Sequence, residues 1–547
     1  MSGNVANDLR VWELVRRYAV PRWMIERATE RRLAGDWRGA CAAAHIDVDI
    51  DPADLTPEIE DDLRHLAPDL LRWHLPRDHG GTHIAVRREL VLGGYGGAVL
   101  YAATPRARNA PQIQRLRLRL DRKAPGRYRP ADPPVVREDW SGLRHLWDAR
   151  RAGGLLDHHG PGGRLPFLRP DGVPLPEGEL PTADPRPGDP AARSEWVFLL
   201  RERGDLDGAI TAAGLTAVEP RGRPGAWRTM TLVRHGLATL DLSLLARAGR
   251  SLAGTARVRA DVSSRHCLVL ERVQGRLTLS AADPRDVADV PVLPEPCWRT
   301  PDPLLLRAGR ITPEELHPLV RAALFPARPP AGPPPPAPLA PVRIRCRGER
   351  HEARWRGGRL DVPHPAGEHE RERALRALGG TMTGCFAVTE AWTSGRGGLP
   401  PALEALREEI FLRMEHGDTP GVLRLLEEGV DPRVRDGDGR TLLHLVYLAD
   451  HEVLLPRLLA AGLDLEAEDG HGGTPLYRAV LHRASAGCVR ALVDAGARID
   501  VVNEGGWSLR DLINTHRYAH LYFLRDRIAA EHPGLGRGLP DETGGDG

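Results

Sequence analysis

The chain has 547 residues, room for roughly three or four domains, each able to bury its own core. Its formal net charge of +2 gives no bulk field for wrapping nucleic acid or lying on a membrane. The six cysteines stand far apart with no C-x-x-C pair, which argues against a secreted disulfide framework and a cysteine zinc site; reduced, buried thiols are expected.

The positive charge is almost all arginine, with Lys123 the lone lysine, and Gly and Pro are abundant. This economy points to a GC-rich bacterial genome of the actinobacterial kind. Met1–Arg17 carries Asp8, Arg10 and Glu13, so it lacks the apolar core of a signal peptide. No stretch approaches the roughly 20 apolar residues of a membrane span. A cytoplasmic location is expected.

Residues 10–48 read as helices. Val11, Leu14, Val15 and Tyr18 mark one apolar face, Pro21 opens a second helix, and a turn at Gly35-Asp36 leads into the small-residue run Gly39–Ala44. One more helix is predicted over Pro57–His74. Strand-like runs follow from Thr82 to Ala103, with a turn in the glycine-dense Gly93–Gly97. Ile113–Leu120 alternates Leu with Arg, the pattern of a half-buried strand.

Gly204–Ala213 echoes Gly35–Ala44, and Leu279–Pro284 echoes Leu100–Pro105. The two echoes suggest an internal duplication, with unit A at 1–159 and unit B at 191–325; the alternative is that Gly-Asp turns and Ala-rich helices recur through composition. Residues 160–190, rich in Pro and Gly, read as a loop or linker. Residues 326–341, centred on Pro333–Pro336, cannot donate backbone hydrogen bonds and read as an extended spacer. Residues 342–401 read as a small module of strand, Gly357-Gly358 hairpin and helices. Residues 531–547 are expected to be a disordered tail.

Residues 402–530 carry a repeat. Thr441, Thr474 and Ser508 are spaced by 33 and 34 residues, and Gly429, Gly462 and Gly496 keep the same period. Asp436–His444, Asp469–Tyr477 and Asn503–Asp511 are variants of one D-x-x-G-x-T-P-L-H stretch. This stretch resembles the ankyrin-repeat family. The resemblance implies about four units, each a β-turn finger and two antiparallel helices, stacked as an all-α solenoid beside an N-terminal mixed helix and sheet region: a multidomain α+β protein. It also implies that His444 ties repeats together, with Tyr477 and Asp511 in its place in the next copies. Pro456 is a departure expected to cost its helix a hydrogen bond.

The family binds proteins through finger tips and first helices. Carried over by position, that face comprises Arg435, Asp438, Arg440, Leu448, Glu468, His471, His482, Glu504 and Trp507. Trp507 and Arg440 stand out by residue type, against the alternatives of packing and a solvated surface.

Catalytic motifs are absent. His351-Glu352 lacks a second histidine four residues on, since that position is Trp355. Asp157-His158-His159 and the pair His364/His369 lie in loops without a partner cluster, so neither a metal site nor a cofactor is expected. Arg115/Arg117/Arg119 and Arg343/Arg345/Arg347 form two arginine faces that could meet phosphates, but solvated strand faces are the expectation. The sequence therefore favours a cytoplasmic adaptor with an unknown protein partner. The alternatives are an enzyme with an unrecognised site in residues 1–325 and a nucleic-acid-associated regulator.

Overall fold

The computed structural model describes residues 3–78, 80–106, 115–121, 135–159, 162–185, 188–218, 239–251, 257–263, 265–329, 338–380 and 382–535. Most of the proline run and the end of the C-terminal tail lie outside these residues. Residues 1–108 with 113–335 form one compact unit and residues 336–547 form another.

The first unit opens with α1 (Gly3–Leu14), a π turn at Val15–Ala19, α2 (Arg22–Leu33) and α3 (Trp37–Ala43). The helix predicted over Pro57–His74 is instead two, α4 (Pro57–His65) and α5 (Pro68–His74). Pro68 explains the break: it has no N–H to continue the ladder and disfavours helical geometry at Ala67. Strands β1 (Ile46–Asp49), β2 (Arg88–Tyr95), β3 (Ala98–Ala103), β4 (Leu116–Asp121) and β5 (Val136–Asp139) form a sheet ordered β1-β4-β3-β2-β5. Gly96 and Gly97, both at positive φ, make the β2–β3 turn, and a bulge interrupts the register between Val91 and Gly93. After α6 (Leu155–His159), residues 162–185 are irregular but not a bare linker. Leu165, Phe167 and Leu168 are buried in the core, and the Phe167 N–H donates to Glu195 at 2.7 Å.

Helices α7 (Pro190–Glu202), α8 (Leu206–Ala212) and α9 (Leu242–Ser251) accompany a second sheet, β6 (Thr216–Ala217), β7 (Arg257–Asp261), β8 (Cys267–Val273) and β9 (Arg276–Ala282). Its order is β6-β9-β8-β7. Taken in chain order, the first four strands of each sheet occupy the same places, and β1–β4 and β6–β9 are both parallel pairs. Val292 completes the parallel: it bridges Arg259 of β7 on one side and Glu138 of β5 on the other, which joins the sheets. Further matches lie beyond the strands. The Ala67 N–H donates to Trp147 O at 2.8 Å, and the Asp241 N–H to Trp298 O at 2.9 Å, each tryptophan following a 3₁₀ turn.

In this order β9 answers to β4, so the echo of Leu100–Pro105 in Leu279–Pro284 joins strands that hold different places. The Gly-Asp echo is a local device. Asp36 caps α3 through Gly39 N (2.8 Å) and Asp205 caps α8 through Gly208 N (2.9 Å). Asp418 does the same through Gly421 N (2.9 Å) in the second unit. A Cβ on each of these glycines would come 2.1 Å from the capping carboxylate. One helix-hairpin turn is thus used three times, and the shared strand order is a separate observation.

The unit closes with α10 (Pro301–Arg307) and α11 (Pro318–Leu324), whose Leu305, Leu306, Val320 and Leu324 enter the core of the first sheet.

In the second unit, β10 (Val342–Cys346), β11 (Glu349–Arg356) and β12 (Arg359–Asp361) form an antiparallel sheet, followed by α12 (Ala366–Ala377) and α13 (Gly384–Ser394). Then come α14 (Pro401–Glu415), α15 (Thr419–Glu427), a 3₁₀ run at Leu442–Leu448, α16 (His451–Ala460), α17 (Pro475–Leu481), α18 (Ala486–Asp494), α19 (Leu509–Thr515) and α20 (Tyr522–Glu531). First elements stack in the order α14, Leu442–Leu448, α17, α19, and second helices in the order α15, α16, α18. Leu425, Leu458 and Leu492 are buried along the second row. α16 runs through Pro456. No helix among the described residues is long and apolar enough to cross a membrane.

Candidate functional site

Each finger of the array turns on a glycine at positive φ: Gly439, Gly472 and Gly506 at 75°, 69° and 75°. An L side chain is strained in that region, which is why the repeat keeps glycine there. Asp436 and Asp469 accept backbone N–H groups inside their own fingers, and Asn503 does so in the third. The fingers interlock, because Gly470 N–H donates to Asp438 O at 2.7 Å.

The 3₁₀ run at Leu442–Leu448 replaces the expected α-helix, and His444 sets its start. The Thr441 N–H donates to His444 Nδ1 at 3.0 Å, and Nε2–H donates to Gly473 O at 3.0 Å. One contact needs a bare nitrogen and the other a protonated one, so the ring is neutral and ties two repeats together. In the last repeat Asp511 accepts from Ser508 N–H and Oγ–H at 2.9 and 2.8 Å, which keeps the local half of that tie.

Burial holds His444 down at about 4 from an ordinary 6.5. As pH falls below 6.5 the unfolded chain takes up a proton that the folded chain refuses until about pH 4. The contribution of His444 to stability is therefore fully present above 6.5 and falls by about 1.4 kcal/mol per pH unit across that window. Other buried histidines, such as His45 and His145, add to the acid slope of the full chain, so the readout is the difference: in urea unfolding against pH, His444→Gln should lose stability less steeply than wild type between pH 6.5 and 4, and equal slopes would contradict the assignment.

Residues 411–503 match the family model "Ankyrin repeats" in three copies. The repeats are ankyrin repeats. The chain is similar to the human SH3 and multiple ankyrin repeat domains protein 2, with 30% identity over 118 residues, 21% of this chain and 6% of that protein. Human Rabankyrin-5 is 42% identical over 59 residues, 11% of this chain and 5% of that protein. The ankyrin repeat-containing protein P1E11.10 of Schizosaccharomyces pombe is 34% identical over 68 residues, 12% of this chain and 33% of that protein. The chain thus spans a third or less of each of these relatives. Ankyrin repeats support a role in protein–protein interaction.

The structure sorts the predicted contact residues of the ankyrin array into two groups. Asp438, Glu468, His471 and Glu504 are exposed at the fingers. The other five are half-buried. Arg435 donates to Gly439 O and Glu468 O, both at 2.8 Å, and so braces neighbouring fingers. Arg440 is held by Asp436 at 2.6 Å, with Asp438 and Glu415 at 3.7 and 4.0 Å. Leu448 and Trp507 pack against the core, and His482 stacks on Tyr447 at 5.4 Å.

Acids on adjoining strands, and on α12 for Arg347, answer four of the six arginines. Arg115 and Arg119 pair with Asp47 and Asp49 of β1 at 2.5 and 3.1 Å. Arg347 pairs with Glu372 at 2.7 Å, and Arg343 lies 3.8 Å from Glu352. His158 in α6 lies tilted against His145, ring centroids 4.6 Å apart, and meets Pro296 O at 3.0 Å.

Sequence reasoning missed one grouping. His351 and His364 were expected to lack partners, yet folding brings them together with Cys346 and Cys385, whose ligand atoms all lie within 4.8 Å of one another. The correction has a plain cause: the four residues span 39 positions (385 − 346) in the pattern C-x4-H-x12-H-x20-C, with no compact pair to signal it. His369 is not in the group.

Proposed function

We propose that the protein is a cytoplasmic adaptor that holds a protein partner on its ankyrin fingers. The observation that carries this reading is the exposure of Asp438, Glu468, His471 and Glu504 on fingers braced by the ties of Arg435 and His444. Three of these tips are carboxylates, which favours a partner with a basic surface. Arg440 and Trp507 act mainly as braces, since their side chains are engaged within the array.

The test is affinity capture with the full chain against a variant carrying Asp438→Lys, Glu468→Lys and Glu504→Lys. Captured partner should fall by about tenfold or more, and wild-type capture should weaken with salt. Equal yields from both proteins would overturn the reading of the face.

A further inference from the structure

We propose that Cys346, His351, His364 and Cys385 form a closed four-coordinate site for a structural zinc ion. Three folding events assemble it. Cys346 ends β10 and lies on the buried face with Val342 and Ile344. His351 enters the same face from β11, opposite Ile344. His364 follows β12, and Cys385 occupies the first turn of α13. Gly384 sits at φ 60°, and a Cβ there would come 2.5 Å from Cys346 Sγ, so the start of α13 reaches the strand only because that residue is glycine.

The spacing fits the ion. Tetrahedral zinc, with Zn–S of about 2.3 Å and Zn–N of about 2.05 Å, sets sulfur about 3.6 Å from nitrogen and nitrogen about 3.4 Å from nitrogen. Here Cys346 Sγ is 3.6 Å from His364 Nε2, and Cys385 Sγ is 3.5 Å from His351 Nδ1. The two ring nitrogens are 3.1 Å apart.

The surroundings orient the ligands. Glu368 Oε2 lies 3.0 Å from His364 Nδ1, and a carboxylate can only accept, so Nδ1 carries the proton and Nε2 turns its lone pair inward. Phe386 packs on the His364 ring at 4.7 Å and limits access by water.

The charge balances as well. Binding converts both thiols to thiolates and releases two protons; two thiolates and two neutral imidazoles then neutralise the dication. Mixed sulfur and nitrogen donors favour zinc over calcium or magnesium, and four protein ligands leave no open position for substrate. The ion would pin three short strands and α13, a module too small to rest on its own core alone.

The experiment uses the full chain purified under reducing conditions without chelator. Metal analysis should find about one zinc per chain, and Cys346→Ser and Cys385→Ser should each lower that content about tenfold. Cys488→Ser, a buried thiol in the ankyrin array, should leave it unchanged. Cobalt exchanged into the wild-type chain should show the visible bands of tetrahedral cobalt and a thiolate charge-transfer band, a readout that does not depend on any variant folding. A chain free of zinc that gives no cobalt spectrum would overturn the proposal. So would a Cys346–Cys385 disulfide, seen as its mass loss in the untreated protein.

Discussion

Asp302→Ala is expected to destabilise the first unit by about 3–5 kcal/mol, because it strands a buried guanidinium. Arg16 and Asp302 are each about 5% exposed and ion-paired. Trp73 Nε1–H donates to the other Asp302 oxygen at 3.1 Å, and Arg16 donates to Trp73 O at 2.8 Å. The guanidinium also lies 4.5 Å from the Trp73 ring centroid. Three segments distant in sequence, the π turn, α5 and α10, thus meet at one carboxylate. Removing it leaves the cation in a place where water cannot replace its partner. Equilibrium urea unfolding of the full chain, with hydrogen exchange reporting on α5 and α10, checks this; a loss under about 1 kcal/mol would mean that the pair is solvated.

The second large effect is expected from a single methyl group. Gly395 caps α13 at φ 73°, and a Cβ there would stand 2.0 Å from Asp436 O and 3.2 Å from Arg435 Cβ. The contact cannot be relieved by rotating a side chain, since the obstacle is backbone. The surrounding geometry is fixed too: Arg435 N–H donates to Trp392 O at 3.0 Å, and Trp392 Nε1–H donates to Asp431 O at 3.0 Å. Gly395→Ala should cost about 2–5 kcal/mol, combining left-handed strain with forced displacement. Gly397→Ala supplies the comparison. Its φ is 94° but its nearest neighbour would be 3.5 Å away, so only the strain of about 1–2 kcal/mol applies. Comparable losses in both variants would show that α13 and the first finger are not locked together.

The ankyrin repeats were legible because their constraints are local and periodic. Gly439, Gly472 and Gly506 must turn the chain, Thr441, Thr474 and Ser508 start the following helical segments, and each falls at a fixed interval. The tie made by His444 could be expected from the resemblance, and the structure supplies both of its hydrogen bonds. What sequence could not give was the identity of individual contacts: Arg440 reads as a free cation until Asp436 is seen beside it. In the first unit the strands that pair lie far apart in the chain, and nothing at Val292, between two prolines' worth of irregular backbone, announces that it joins two sheets. The cysteine–histidine group shows the same limit, since two of its histidines were visible in the sequence but their partners arrive from a strand end and a helix start.

The joined sheet of the first unit also has a bearing on self-association. An open sheet can recruit a second molecule at each outer strand, where backbone donors and acceptors lack neighbours. Among the described residues the outer strands are β1 and β6. β6 is two residues long, too short to template much pairing. β1 carries Asp47 and Asp49, already engaged with Arg115, just before β4, and Arg119 within it, so an incoming strand would have to accommodate charged side chains at its border. A sheet built from two like halves thus finishes at both ends in a form that resists strand addition.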